Sequence, residues 1–160
     1  TGHLVFSTLH TNDSASAITR LIDMGVKPFL AASSIQAILA QRLIRMLCEH
    51  CRAADPSPDA KLLRLVGISE EERERGNISR AVGCARCGQV GFRGRRGIFE
   101  LLQMNSEIRE LAFEQASLAR IREAARRTGM RNLLGDGKIK ILRGATTPKE
   151  VARFAQSDQA

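Results

Sequence analysis

Apolar residues near the beginning of the chain predict a buried strand. Residues 4–6 are a short apolar run that continues into Ser7, Thr8 and His10, and such a run with a polar end is typical of a strand inside a sheet. Open α/β sheets bind their ligands at the carboxyl ends of the strands. His10 is therefore a candidate site residue, which could polarise a phosphate or simply bond a loop carbonyl.

Two helical patterns follow this strand. An apolar stripe at helical spacing predicts a helix over residues 14–24, which Asn12 or Asp13 can cap. A second helical spacing covers residues 29–40. Residues 41–47 fit either a continuation of that helix or a strand, and periodicity alone leaves both open.

Short elements are predicted in the middle of the chain. Residues 59–66 have the pattern of a short helix, and Ser69 with Glu72 forms a capping box that opens a charged helix. Residues 88–97 are punctuated by glycine and lead into an apolar strand over 98–102. No GxxxxGK[ST] phosphate-binding loop is present, so these glycines predict tight turns rather than a nucleotide cradle.

Four helices are predicted in the last third of the chain, each with a local start signal. These signals are Asn105 or Ser106, Ser117, Asn132 and Thr147. The last is the clearest, because Thr147 and Glu150 have capping-box spacing with Pro148 at the first helical position. The helix after Asn132 contains two glycines, which weaken its helical propensity.

The four cysteines form two pairs, Cys48 with Cys51 and Cys84 with Cys87. Thiolates with two residues between them can face one point, and two such pairs can close a tetrahedral shell around zinc. The stretch between the pairs has few apolar residues, so we expect it to form a small lobe with little core of its own, held by the metal.

Other uses of the cysteines fit the sequence less well. Nothing in the sequence indicates secretion, which disfavours disulfides, and two CxxC pairs around an insertion have no reason to be redox-active twice. His50 lies inside the first pair and could replace one thiolate. Four cysteines already complete the shell, so we assign the metal to them.

The charge indicates an anionic partner without identifying it. Lys and Arg outnumber Asp and Glu by 25 to 17, a net charge of +8, which would suit phosphate, anionic lipid or an acidic protein. One alternative is a zinc-ribbon module that binds nucleic acid through Arg93, Arg95 and Arg96. The chain has six Phe and no Trp or Tyr, which leaves few surfaces for base stacking, so we predict no nucleic-acid partner.

Three segments resemble the C-terminal part of a type II secretion ATPase, of the superfamily that also powers type IV pili. TGHLVFSTLHTND resembles the family's histidine box, AQRLIRMLCEHC with GCARCGQVGFRGRRGIFELL its tetracysteine module, and GMRNLLGDGKIKILRGATTPKEVARF its C-terminal helical signature. The resemblance covers nearly all 160 residues. It implies an α/β fold, the C-terminal part of a RecA-like ATPase core with an inserted zinc lobe and a C-terminal helical subdomain.

The resemblance also implies an organisation into three segments. Residues 1–47 would be a truncated RecA-like core, 48–97 the tetracysteine zinc lobe, and 98–160 a strand with the helical subdomain. It makes residues 41–47 and 96–102 neighbouring strands. We expect the sequence to be a piece of a longer protein, with Walker A and Walker B upstream of residue 1, and therefore expect this piece alone not to hydrolyse ATP.

In this family His10 would lie near the γ-phosphate of ATP, and His3 would be the other histidine of the box. The resemblance implies ATP and Mg²⁺ in the full-length protein, a homo-hexamer, and inner-membrane secretion platform proteins as partners. It implies a cytoplasmic location, peripheral to the inner membrane and without a membrane span. Type II secretion is the expected process, and the pilus-extension ATPase is the alternative.

Overall fold

The computed structural model describes residues 2–155, which form eight α-helices and four strands. The helices are α1 Ala15–Asp23, α2 Pro28–Ser34, α3 Ala60–Leu65, α4 Glu70–Arg75, α5 Ser106–Phe113, α6 Leu118–Arg127, α7 Leu133–Leu142 and α8 Pro148–Ala152. The strands are β1 Ala37–Leu47, β2 Ala53–Ala54, β3 Ser79–Arg80 and β4 Phe92–Gln103. The expected mixture of helices and strands is confirmed.

The strands make two small sheets. In one, β1 pairs with β4. In the other, β2 pairs antiparallel with β3, with Ala53 opposite Arg80 and Ala54 opposite Ser79. The alternative of a strand over residues 41–47 is therefore confirmed, and its neighbour is the strand that contains residues 96–102.

The chain divides into two units. Of the described residues, 2–40 and 101–130 make up the first unit, and 41–100 and 131–155 the second. The boundaries fall within β1 and β4, so each long strand contributes to both units. The division into three segments expected from the resemblance stays a prediction.

The first unit is built from α1, α2, α5 and α6 around an apolar core. Its most buried large side chains include Ile18, Leu102, Ile108 and Ile121. The start of α1 follows its local signal, because the Asp13 carboxylate accepts the Ser16 N–H at 2.7 Å. Four helical stripes therefore close one core without any cross-link.

The second unit has its own core, formed by short elements. The fully buried side chains Ile44, Ile98, Ile141 and Val151 come from β1, β4, α7 and α8. Four residues between the cysteine pairs join them: Leu63, Val66, Ile68 and Ile78. The apolar residues of the lobe are thus buried in a core that it shares with α7 and α8, which agrees with the expectation that the lobe has little core of its own.

Two sequence predictions of regular structure are corrected. Residues 4–6 are not a buried strand: Leu4 is 73% and Phe6 88% exposed, and no regular structure covers them. A lone strand has no ladder to satisfy its backbone groups, and β1 and β4 pair with each other. Residues 35–40 are not helical as predicted. The helix α2 ends at Ser34, and residues 37–40 are the first residues of β1, which pairs with β4.

The glycine-rich segment is also shorter than predicted, since β4 already begins at Phe92. One glycine of α7 is required by packing, because a Cβ on Gly137 would lie 2.4 Å from Val151 Cγ1. Gly137 therefore allows α7 and α8 to approach closely, and the contact offsets the weak helical propensity of the residue.

Candidate metal centre

The four cysteine side chains converge at one point of the second unit. Every Sγ lies within 4.8 Å of the other three. The Cys48 and Cys84 sulfurs are 4.0 Å apart, those of Cys51 and Cys87 3.9 Å, and those of Cys84 and Cys87 3.8 Å. All four cysteines are free thiols.

These distances fit a metal shell and not a disulfide. A disulfide joins two sulfurs at about 2.05 Å. Four sulfurs placed about 2.3 Å from a central zinc define a tetrahedron with edges of about 3.8 Å. The donor set and its spacing therefore fit Zn²⁺, and four thiolates leave no open coordination position for catalysis.

Each cysteine pair sits on a tight turn. In the first turn, the N–H groups of Cys51 and Arg52 donate to the Cys48 carbonyl at 3.1 and 2.9 Å. In the second, the N–H groups of Cys87 and Gln89 donate to the Cys84 carbonyl at 3.1 and 3.0 Å. Both turns share a bond from the second cysteine N–H to the first cysteine carbonyl, and together they bring the four thiols within 4.8 Å of one another.

Backbone N–H groups point at the sulfurs. Gly83 N–H donates to Cys51 Sγ at 3.4 Å, while Cys84 N–H and Gly91 N–H both donate to Cys87 Sγ at 3.2 Å. Such donors stabilise a thiolate because they place partial positive charge beside it. The site is therefore arranged to hold negative sulfur.

The thiols differ in acidity. Burial raises the pKa of the Cys51 thiol to about 11, the neighbouring thiols add to this, and only the Gly83 N–H opposes it. Burial also acts to raise the pKa of Cys87, but the two N–H donors outweigh it and lower that pKa to about 6. Cys87 therefore loses its proton more readily than Cys51, and a metal ion would stabilise the thiolate form of all four cysteines.

Two glycines are required by the space around the cysteines. Gly91 has φ +74°, and a Cβ there would lie 2.6 Å from the Cβ of Ala81. Gly83 has φ +121°, and a Cβ there would lie 2.7 Å from the Gln89 carbonyl oxygen. A side chain at either position would push the second turn away from its sulfur contacts.

The histidines lie outside this cluster. His50 is exposed, and Arg86 Nη1 lies 3.1 Å from both of its ring nitrogens. His3 and His10 are exposed residues of the first unit, in a stretch without regular structure. The role of His10 near a phosphate stays a prediction.

The sequence reasoning missed the polar contacts beside the first turn. Glu150 is 3% exposed and accepts Arg45 Nη2 at 2.6 Å. Thr147 does accept the Glu150 N–H at 3.4 Å, but the Glu150 carboxylate binds Arg45 instead of completing the capping box. No local pattern could reveal a partner 105 positions away.

Comparison with known proteins identifies the family. The model of the type II/IV secretion system protein family matches residues 1–153. The chain belongs to this family. The tetracysteine centre is accordingly a feature of a type II/IV secretion system protein.

Relatives from both branches of the family are similar to this chain. The type IV pilus assembly ATPase PilB of Thermus thermophilus is 48% identical over 94% of this chain. In Pseudomonas aeruginosa, the type II secretion system protein HxcR is 48% identical over 98% of the chain, and type II secretion system protein E 42% over 99%. This chain spans only 17%, 29% and 31% of these relatives, respectively.

The helices of this family member are short. Within residues 2–155, none is both long and apolar enough to cross a membrane.

Proposed function

We propose that this chain is the zinc-bearing C-terminal portion of a secretion ATPase, which couples ATP hydrolysis to protein export by the type II secretion system. The observation that carries the proposal is the cluster of four thiols, with sulfur separations of 3.8–4.0 Å, inside a chain that the family matches over residues 1–153. Relatives named as ATPases support the enzymatic part.

Zinc has a structural role in this proposal. Cys48, Cys51, Cys84 and Cys87 would supply all four ligands, and the ion would hold the two turns together. The metal is thus a cross-link of the second unit and takes no part in phosphoryl transfer.

ATP and Mg²⁺ would bind to the whole protein through a RecA-like core and Walker motifs upstream of residue 1. In that assembly His10 would approach the γ-phosphate. Its exposure in this chain is compatible with such a contact. We further propose the three-segment organisation, a homo-hexamer and docking to inner-membrane platform proteins on the cytoplasmic side.

Assembly of a type IV pilus is the second candidate, because a type IV pilus assembly ATPase and a type II secretion system protein are equally similar to this chain, at 48% identity each. Deletion of the gene in the source bacterium distinguishes them. We expect loss of exported proteins from the medium with surface pili retained. Loss of pili alone would establish the pilus assignment, and a deletion that affects neither process would refute both.

A nucleic-acid module receives less support. Arg93, Arg95 and Arg96 are exposed, and no ion pair holds them within residues 2–155. However, the nearby Phe92 ring is already covered by the Arg45 guanidinium, 4.3 Å from its centroid. Binding to single-stranded DNA at micromolar affinity, weakening steeply with salt, would favour this module over the ATPase.

Zinc and activity can be tested together in the full-length protein. We expect one zinc per chain by elemental analysis and ATP hydrolysis that needs the intact Walker motifs. In that protein His10→Ala should lower kcat more than it raises KM, with His3→Ala as the matched histidine control. A protein with four reactive thiols and no zinc would refute the metal assignment and leave the ATPase assignment standing.

A further inference from the structure

The polar contacts beside the first cysteine turn lead to one segment, residues 144–150, which we call the C-terminal corner. It joins α7 to α8 and is entered through Gly144, with φ +64°. Thr146 within it is completely buried. The corner belongs to the same unit as the cysteines.

Contacts on both sides of the first cysteine turn bind this corner. Before the turn, Leu47 N–H donates to the Ala145 carbonyl at 2.9 Å. After the turn, Arg52 Nη1 donates to the Gly144 carbonyl at 2.7 Å. The corner is thus attached to the residues that immediately precede Cys48 and follow Cys51.

A third contact fixes the far end of the corner. Glu150 accepts Arg45 Nη2 at 2.6 Å and the Arg45 backbone N–H at 3.3 Å, and Arg153 Nη1 lies 3.3 Å from the same carboxylate. Thr146 Oγ1 donates to the Arg45 carbonyl at 2.8 Å. Arg45 therefore binds both the beginning and the end of the corner.

The second cysteine turn is connected through Phe92. The Arg45 guanidinium stacks on this ring at 4.3 Å. Gly91, which precedes Phe92, donates its N–H to Cys87 Sγ at 3.2 Å, and its carbonyl accepts the Cys48 N–H at 2.9 Å. One arginine side chain thus lies between the sulfur cluster and a buried carboxylate of the C-terminal corner.

We propose that the C-terminal corner is a metal-linked latch: metal binding at the cysteines holds residues 144–150 in place, and Arg45 and Glu150 are positioning residues for the metal. This inference rests on the proposed metal site. When the shell is open, the first turn no longer fixes Arg52, and only the pairing of β1 with β4 fixes the donors at positions 45 and 47. The apolar core keeps α7 attached, so beyond the two cysteine turns themselves the loosening is confined to the corner.

The first test compares the zinc-loaded chain with the same chain after chelation, by hydrogen–deuterium exchange. We expect faster exchange over residues 143–150 after zinc removal, and little change over 133–141, which the core holds. Zinc re-addition should reverse the change and Mg²⁺ should not. Unchanged exchange over residues 143–150 would overturn the latch.

The second test measures zinc release to a chromogenic chelator. Partners of metal ligands typically change metal affinity 10–100-fold, and we expect about tenfold faster release in both Glu150→Gln and Arg45→Gln, since these residues act one step further out. Glu71→Gln is the matched control, because Glu71 forms a surface ion pair with Arg75 in the same unit. It should release zinc at the parent rate.

Coupling distinguishes positioning from a general loss of stability. The double variant Arg45→Gln/Glu150→Gln should release zinc no faster than Arg45→Gln alone, because Arg45→Gln already removes the side-chain contact with Glu150. Additive effects, or release at the parent rate in both single variants, would overturn the latch. A chain that takes up no zinc at all would instead refute the metal site itself.

Discussion

The two units solve the same packing problem with different means. Each has an apolar core and a buried carboxylate that pairs with an arginine: Asp13 with Arg122 in the first unit, and Glu150 with Arg45 in the second. Only the second unit also contains the four cysteines. The comparison therefore shows where a metal centre is added to an apolar core with a buried ion pair.

Element length explains why the second unit needs a cross-link in addition to its apolar core. The helices of the first unit have seven to ten residues. In the second, α7 has ten residues, but α3 and α4 have six, α8 has five, and β2 and β3 have two each. Short elements bury less apolar surface per ordered residue, so a cross-link between turns supplies stability that packing alone does not.

Loss of metal should produce the largest difference in stability between the two units. Structural zinc contributes on the order of 10 kcal/mol to the folding of small zinc modules. We expect chelation, or Cys48→Ser, to open the second unit to trypsin at Arg52 and Arg86, while cleavage within α5 and α6 stays slow. Limited digestion with mass spectrometry measures this. Equal digestion of both units would show that the metal does not distinguish them.

A cavity in the core of either unit should lower the free energy of unfolding by a similar amount. Ile121 and Ile141 are 1% and 0% exposed, one in each unit. We expect Ile121→Ala and Ile141→Ala each to lower the free energy of unfolding by about 2–5 kcal/mol. Hydrogen exchange resolved by segment should place each loss in the unit that carries the substitution. Leu65→Ala is the control, since Leu65 is 44% exposed and should change stability far less.

Removing one buried carboxylate should have a smaller effect. We expect Asp13→Asn and Glu150→Gln each to lower the free energy of unfolding by about 1–3 kcal/mol at pH 7. For Glu150 the loss is smaller than for a fully buried ion pair, because the Arg45 side chain is exposed to water. Urea unfolding followed by circular dichroism measures the difference. A loss below about 0.5 kcal/mol would assign these pairs the value of surface ion pairs.

The same variants give a pH test with a definite sign. The Arg45 hydrogen bond lowers the pKa of the Glu150 carboxyl. Burial works against ionisation of Asp13, but the Ser16 N–H and Arg122 outweigh it and lower that pKa too. Both contributions are present above the unfolded pKa values of about 3.9 and 4.3 and decline as pH falls below them. The stability gap between parent and variant should therefore close towards pH 3, and a constant gap would contradict an ionic origin.

The smallest effect is expected at a helix cap. Ser69 accepts the Glu72 N–H at 3.2 Å, and Glu72 Oε2 accepts the Ser69 N–H at 2.9 Å. Ser69→Ala should cost about 1 kcal/mol, and Ser69→Asp should retain most of the stability because Asp is also a good cap. Thermal unfolding of the three proteins compares them.

Local signals in the sequence predicted much of the second half of the molecule. The starts of α5, α7 and α8 follow from Asn105, Asn132 and Thr147, whose side chains accept backbone N–H groups as expected. Ser117 occupies the cap position of α6 without a side-chain cap bond. Capping depends on residues three or four positions apart, which is why it can be predicted.

The sequence alone determined the two CxxC motifs and most helix starts, because both depend on neighbours within a few positions. Only the tertiary structure decided that residues 37–40 join β1, that residues 4–6 form no strand, and that Glu150 binds Arg45. Strand pairing and buried ion pairs join residues that are far apart in the chain. Their free energy depends on which groups the fold brings together and shields from water, and no local spacing contains that information.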